Sequence, residues 1–331
     1  MSRATITDVA REAGVSTMTV SRVVNNKGEI SDATRARVEG AISRLGYRPN
    51  RLARALSLQK SQTLGMMVPD INNPFFSEIV RGAEDAAWEQ GYSLVLGSTV
   101  ENLEREARTL QLLDEKHVDG VIVCSARLPD EPLFNLLKGH RAALLLNRTA
   151  PAPLAGSLRV DDAHGAMRAV HHLLGRGRRD VGMLAGPEPS YSRQNRVAGY
   201  TTALETTGNE VTPSRIVSCT PDEAGGYAAT GALLAAHPEL DGLFCYNDLV
   251  AVGALQACRE LGVRVPEDLA VVGCDDIRLA SLVTPALTTL HVDKQALGRR
   301  AVALLLERLA AVPEEMSVVQ KPELVVRASA P

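Results

Sequence analysis

Two groups of residues in this 331-residue chain are spaced for chemistry. The first is compact. Ser16, Thr17, Met18, Thr19, Ser21, Arg22 and Asn25 interleave with Val20, Val23 and Val24, whose spacing turns the valines to one side of a short helix. Thr17, Met18, Ser21 and Arg22 are left facing outward. A guanidinium there can chelate O6 and N7 of guanine, and Thr and Met can meet thymine methyls. Ser16, Thr19 and Asn25 suit phosphate oxygens near a helix start. The second group is scattered, and each member follows a short apolar run. It comprises Asp70 through Phe76, Ser125, Asn147-Arg148, Asp161-Asp162, Gly186-Pro187-Glu188, Asn247-Asp248 and Asp275-Asp276. Amides and carboxylates hydrogen-bond hydroxyls, and an aromatic face packs on a sugar ring. This is a polyol-binding inventory.

The elements that must hold the first group are legible. Thr5 caps a helix with Ile6, Val9, Ala10 and Ala13 on one face, and Gly14 stops it. Val15 is a turn residue and Ser16 caps the next helix, 17–24. Ser31 caps a third, 32–45, with Val38, Ala41, Ile42 and Leu45 as its stripe and Gly46 as its stop. The first two make a helix-turn-helix. Charge agrees with a polyanion partner. Residues 1–60 carry eleven Lys and Arg against five Asp and Glu, a net of +6 that leaves −9 on the rest of a chain with a total of −3.

From residue 63 onward apolar runs alternate with helical stretches. Strands are expected at 64–68, 93–96, 121–124, 142–146, 157–160, 181–185, 216–218, 242–246, 270–273 and 288–290. Helices are expected at 77–90, 103–116, 165–175, 194–206, 226–236 and 249–261. This order implies an α/β body of parallel sheets. Val118-Asp119-Gly120 before one strand echoes Leu240-Asp241-Gly242 before another, so two similar lobes are expected. In such sheets a ligand binds beyond the carboxyl ends of the strands, where the second group lies. A carboxylate after a strand is as often a helix cap as a ligand contact, and Asp162, Asp248 and Asp276 carry both readings. Phe75 and Phe76, adjacent after a strand, are not expected to share one core.

Other classes find no support. No phosphate-loop or nucleophile-elbow motif occurs, and Gly175-Arg176-Gly177 follows a helix where a dinucleotide loop would precede one. His171 and His172 point about 100° apart on a helix, a poor chelate. No enzyme activity, metal or cofactor is therefore expected. There is no apolar run long enough for a membrane span and no secretory leader, and the five cysteines form no C-x-x-C pair. They read as reduced thiols of a cytoplasmic protein.

The run from Thr5 to Asn25, with Gly46-Tyr47-Arg48-Pro49-Asn50, resembles the headpiece of the lactose/galactose repressor family of bacterial transcription regulators. The body resembles that family's periplasmic-binding-protein-like domain through Asn73-Pro74-Phe75-Phe76, Arg196, Gly199-Tyr200, Asn247-Asp248, Gly273 to Asp276 and Thr284 to Thr289. The resemblance implies a headpiece at 1–49, a hinge helix at 50–60 and a two-lobed effector and dimerisation domain at 61–331. It implies a homodimer on double-stranded DNA with a palindromic operator, and a small-molecule effector, a sugar or sugar derivative. Arg51 and Arg54 would lie near the DNA and Leu56 would wedge into the minor groove. Phe75 and Phe76 would pack on the ligand, and Arg196 and Asp275 would clamp it. Ser125, Asn147, Asp161, Ser190, Ser192 and Asn247 are further candidates. Ser190 stands where the purine-responsive members place an arginine, a departure from a purine site. No heptad tail follows the strand-like run 324–326, so no tetramerising zipper is expected.

Replacing the wedge, Leu56→Ala, should weaken operator binding while sparing effector binding. Titration of both ligands on the purified variant checks this, and loss of both would point to misfolding.

Overall fold

The computed structural model describes residues 4–24, 28–47, 60–311 and 316–331. The chain separates into two compact units, Met1–Ser61 and Gln62–Pro331. The hinge residues Arg51, Arg54 and Leu56, and Asn25, lie outside the described residues.

In the first unit α1 (Ile6–Ala13), α2 (Thr17–Val24) and α3 (Asp32–Leu45) surround a core of Val9, Ala10, Ala13, Val20, Val23, Val38 and Ala41. Thr5 and Asp8 form a reciprocal capping box: the Asp8 N–H donates to Thr5 Oγ1 at 3.3 Å and the Thr5 N–H to Asp8 Oδ2 at 3.0 Å. Gly14 and Gly46 end α1 and α3 with φ of 64° and 60°, where a Cβ would be strained.

The second unit has two lobes. Lobe 1 is a parallel sheet of six strands in the order β11-β5-β4-β3-β1-β2: β1 (Thr63–Val68), β2 (Ser93–Ser98), β3 (Gly120–Cys124), β4 (Ala143–Leu146), β5 (Gly156–Val160) and β11 (Ser317–Gln320). Alternate residues face opposite sides. Leu64, Met66, Val68, Ile122, Leu144, Leu146 and Leu158 pack under α4 (Pro74–Glu89) and α11 (Lys294–Ala310). Met67, Val121, Val123, Ala143 and Leu145 pack under α5 (Leu103–Glu115) and α6 (Asp130–Leu137). Lobe 2 repeats the plan with a parallel sheet in the order β7-β6-β8-β9: β6 (Val181–Leu184), β7 (Ile216–Val217), β8 (Gly242–Cys245) and β9 (Ala270–Val272). It lies between the pair α7 (Asp162–Gly175) and α8 (Tyr191–Thr206) and the pair α9 (Glu223–Ala236) and α10 (Asp248–Leu261). An antiparallel pair, β10 (Thr289–His291) and β12 (Glu323–Val325), completes it.

The sequence echo is a real equivalence. Asp119, before β3, accepts the Gln62 N–H at 2.9 Å ahead of β1. Asp241, before β8, accepts the Arg179 and Asp180 N–H groups at 3.0 Å ahead of β6. Each carboxylate ties down the chain entering the neighbouring strand. The lobes exchange chain three times: between β5 and α7, between β10 and α11, and between β11 and β12. Two crossovers are joined where the Asp161 N–H donates to the Gln320 carbonyl at 2.8 Å.

Strand ends fall within one or two residues of expectation. Helices α4, α7, α8 and α9 each begin three residues earlier than their apolar pattern suggests. The cause is capping: Asn73, Asp161, Ser190 and Asp222 accept backbone N–H groups of the first turn, and the polar look of those turns hides it.

Three helix pairs meet through glycine. A Cβ on Gly82 of α4 would lie 2.1 Å from the Gln295 carbonyl oxygen, and one on Gly298 of α11 would lie 2.0 Å from that of Ile79. Gly226 and Gly253 do the same for α9 and α10, and Gly199 for α8 against α7. Gly298→Ala should therefore force α11 off α4 and destabilise the protein by about 1–3 kcal/mol. A urea midpoint equal to that of the parent would refute the close contact.

Candidate functional site

The head presents the expected face. Ser16, Thr17, Met18 and Arg22 are exposed, Met18 to 64%, and Thr19 and Ser21 are half-buried. Ser16 caps α2, its Oγ accepting the Thr19 N–H at 3.1 Å, with the two hydroxyls 3.0 Å apart. Val20 and Val23 are buried beneath and hold the face rigid, and Val24 is half-buried.

In the second unit the strand ends of both lobes converge on one cleft. Its walls include Asn73, Phe75, Phe76, Glu101, Ser125, Arg127 and Asn147 from lobe 1. Ser192, Arg196, Pro221, Tyr246, Asn247 and Asp275 come from lobe 2. Backbone geometry aims several of them. Ser125, Asn147 and Asp275, each just past a strand, have φ of 46°, 59° and 116°, and Asp276 follows at 48°. Non-glycine residues there cost about 1–3 kcal/mol each, a strain typical of ligand clamps.

Arg196 organises the floor. It is buried, its Nε donates to Asp162 Oδ1 at 2.8 Å, and its Nη1 donates to the Tyr246 carbonyl. Its guanidinium lies 4.8 Å from the Tyr246 ring centroid, a cation–π contact. Asp275 stands farther off, at 3.8 Å. Burial alone would lower the Arg196 pKa, but Asp162, Cys274 and Asp275 more than offset it and keep the guanidinium charged. Burial pushes Asp275 up to about 7, against the pull of Arg196 and Lys294. Asp248 is fully buried, accepts from the Ile277 N–H at 2.9 Å and the Thr289 hydroxyl at 2.5 Å, and is pushed well above the usual range by burial and Asp275. Lys294, buried at the start of α11, donates to the carbonyls of Asp275, Asp276 and Val292 and so straps the Asp275 loop to a crossover.

Most of the expected ligand residues meet here: Phe75, Phe76, Ser125, Asn147, Ser192, Arg196, Asn247 and Asp275. Two do not line the cleft. Asp161 is the α7 cap, accepting the His164 N–H at 3.1 Å. Ser190 caps α8 from a fully buried position and bonds the Tyr246 hydroxyl at 2.8 Å. Asp162, Asp248 and Asp276 are neither the helix caps nor among the residues lining the cleft. Asp162 pairs with Arg196, and Asp276 with Arg327 and His291 at 2.7 and 2.8 Å; the α10 cap is Asn247. The expectation that Phe75 and Phe76 avoid one core is overturned. They pack edge-to-face, 5.2 Å between centroids, inside the same cluster while still edging the cleft. Glu101, Arg127, Pro221 and Tyr246 join the site without having been expected there. Arg127, two residues past Ser125 beyond an apolar strand, was the available signal.

Comparison with known proteins follows the same division. Residues 5–50 match the family of bacterial regulatory proteins described as the lacI family, and residues 170–330 match a periplasmic binding protein-like domain. The HTH-type transcriptional repressor PurR of Proteus mirabilis is 36% identical over 98% of this chain and 96% of its own. The protein of that name from Photobacterium profundum is 34% identical over 98% of each. Among solved structures, the Lac repressor dimer bound to operator and the anti-inducer ONPF superposes with a TM-score of 0.89, at 30% identity over 99% of each chain. The complex of the transcriptional regulator CelR with cellobiose superposes at 0.76, with 32% identity over 99% of this chain and 100% of that one.

Asp275 gives stability a pH dependence. The unfolded carboxyl loses its proton near 3.8 and the folded one near 7, so the folded chain holds the extra proton between those values. The stability this group contributes is complete below pH 3.8 and is lost as pH rises to about 7. Asp275→Asn should flatten urea-derived stability over that window and abolish the effector response while leaving DNA binding intact. An unchanged slope would show that Asp275 does not titrate there.

Proposed function

The chain belongs to the lacI family of bacterial regulatory proteins and is a DNA-binding transcriptional repressor, and from that premise we propose that a small uncharged ligand, a sugar or sugar derivative, controls it through the cleft. The observation that carries the ligand class is the charge balance of the cleft. Arg196 is paired with Asp162, and Arg127 with Glu101 at 2.7 and 3.0 Å. Hydroxyls and amides of Ser125, Asn147, Ser192 and Asn247 stand among them, and Phe75 and Phe76 offer an apolar edge. Such a site accepts a neutral, hydroxyl-rich ring more readily than an acid, which would leave a buried carboxylate opposed. The cellobiose complex of a structurally similar regulator supports this class. A purine base is the second reading, favoured by identity to the repressors named PurR and opposed by Ser190, which is committed to capping and to Tyr246.

In this reading a homodimer acts in the cytoplasm, one head per half-site of a palindromic operator. The exposed apolar side chains of lobe 1, Trp88 on α4 at 79% with Leu96, Leu103 and Leu112, support pairing of two bodies along the outer helices. Ligand closes the cleft, the crossovers transmit the change to the hinge, and repression is relieved. Ligand and operator then oppose each other through one coupling free energy.

Affinity capture of fragmented genomic DNA by the purified protein, with and without a small-molecule extract of the host, tests this. One enriched palindrome, lost with extract, is expected; no enrichment from folded protein would overturn the repressor reading. Competing the complex with sugars and with purine bases separates the two ligand classes. In the same assay Arg22→Ala should lose discrimination at one base position, by about 1–3 kcal/mol. Unchanged specificity would remove Arg22 from base readout.

A further inference from the structure

Two charged residues lie behind lobe 1's half of the cleft without lining it. Glu106, in the first turn of α5, is 2% exposed, and Arg148, just past β4, is 7% exposed. Both reach the same stretch of main chain, the turn 125–128 that follows β3. Glu106 accepts its N–H groups: that of Arg127 donates to Oε1 and Oε2 at 3.1 and 2.9 Å, and that of Leu128 to Oε1 at 3.1 Å. Arg148 meets its carbonyls: Nη1 donates to that of Ala126 at 2.9 Å and to that of Leu128. The Arg148 Nη2 donates to Asp130 Oδ1 at 2.7 Å, at the start of α6. The turn needs such partners. Ala126, Arg127 and Leu128 are buried, so their backbone groups would be costly to leave unbonded, and Ser125 enters the turn with φ of 46°. The same turn carries two cleft residues, Ser125 and Arg127. The Arg127 guanidinium is in turn held by Glu101 and by the Ser125 carbonyl, the latter at 3.0 Å.

We propose that Glu106 and Arg148 are positioning residues for ligand recognition, gripping the 125–128 turn from behind so that Ser125 and the Arg127 guanidinium stand at fixed points in the cleft. The proposal rests on the cleft being the ligand site. Neither residue lines it, so both act through the turn. The chemistry calls for these two side chains. A carboxylate offers two acceptor oxygens to converging N–H groups, whereas a glutamine offers one and sets an NH2 group against them. A guanidinium fork reaches two carbonyls and a carboxylate at once, where an ammonium is a point donor. A ligand then meets groups already in place, and lobe 1 does not have to order them on binding.

Amide hydrogen exchange and arginine labelling on the ligand-free full chain test this. Phenylglyoxal, which adds to guanidinium groups, reads the accessibility of Arg127, and Arg196, equally buried on α8, is the internal control. Glu106→Gln should speed exchange at the amides of 127 and 128 about tenfold, the size of one hydrogen bond to a charged group, and labelling of Arg127 by a similar factor. Exchange in β3 and labelling of Arg196 should match the parent. Glu101→Gln frees the guanidinium alone, so Arg127 labelling should rise with both amides unchanged. Parent rates at both amides in Glu106→Gln would overturn the proposal. So would accelerated amides without faster Arg127 labelling, or equal acceleration in β3, the mark of a general stabiliser of the lobe. In release of operator by the host extract, Glu106→Gln should need about tenfold more extract; an unchanged requirement would overturn the role in recognition. Labelling and exchange use neither DNA nor ligand, so their failure is distinct from failure of the repressor reading, which genomic capture decides.

Discussion

The cleft depends on the buried ion pair between Arg196 and Asp162. Asp162 opens the first helix after the chain enters lobe 2, and Arg196 sits on the next one. Their contact therefore fixes α7 to α8 as well as the floor of the site. Removing one member of such a pair typically costs about 3–5 kcal/mol, because the other charge stays buried and unopposed. The same guanidinium carries the Tyr246 carbonyl and ring and faces Asp275, so three loops from different parts of lobe 2 are referred to one planar group. Arginine suits this place: a lysine has no plane to stack and no fork to share.

The lobes are tied to each other differently. Any closure of the cleft must turn about three adjacent crossovers, and these are cross-linked by the Asp161 to Gln320 bond and by Lys294, which reaches back from α11 to the Asp275 loop. The Asp275 loop is thus tied to the first turn of a helix that packs, backbone against backbone, on α4. The rigidity of that glycine contact lets a small movement at the loop be carried as a movement of a whole layer.

Legibility in the sequence follows the range of the interactions. The three head helices are readable because their caps and stops are local: Thr5, Gly14, Ser16, Ser31 and Gly46 act within a few residues. The strands of the body follow from apolar runs and their length. What stays hidden is set by tertiary partners. Asp161 and Asp162 are neighbours of one type, and only folding decides which caps a helix and which turns to Arg196. An aromatic residue after an apolar strand reads as core, so nothing in the chain singles out Tyr246. Helix starts are misjudged by one turn because a cap and a ligand loop draw on the same residues, Asn, Asp and Ser.

The order in which segments enter the lobes has a consequence for how the protein comes to be folded. The head needs only its first sixty or so residues to complete its core and can settle while the rest is still being made. Lobe 1 cannot. Its edge strand β11 and the helix that covers one face, α11, are translated after nearly all of lobe 2. Until then the apolar undersides of β3 and β4 and the glycine face of α4 lack their cover, and the nascent chain carries a sheet short of one edge strand and one covering helix on the ribosome beside a finished DNA reader.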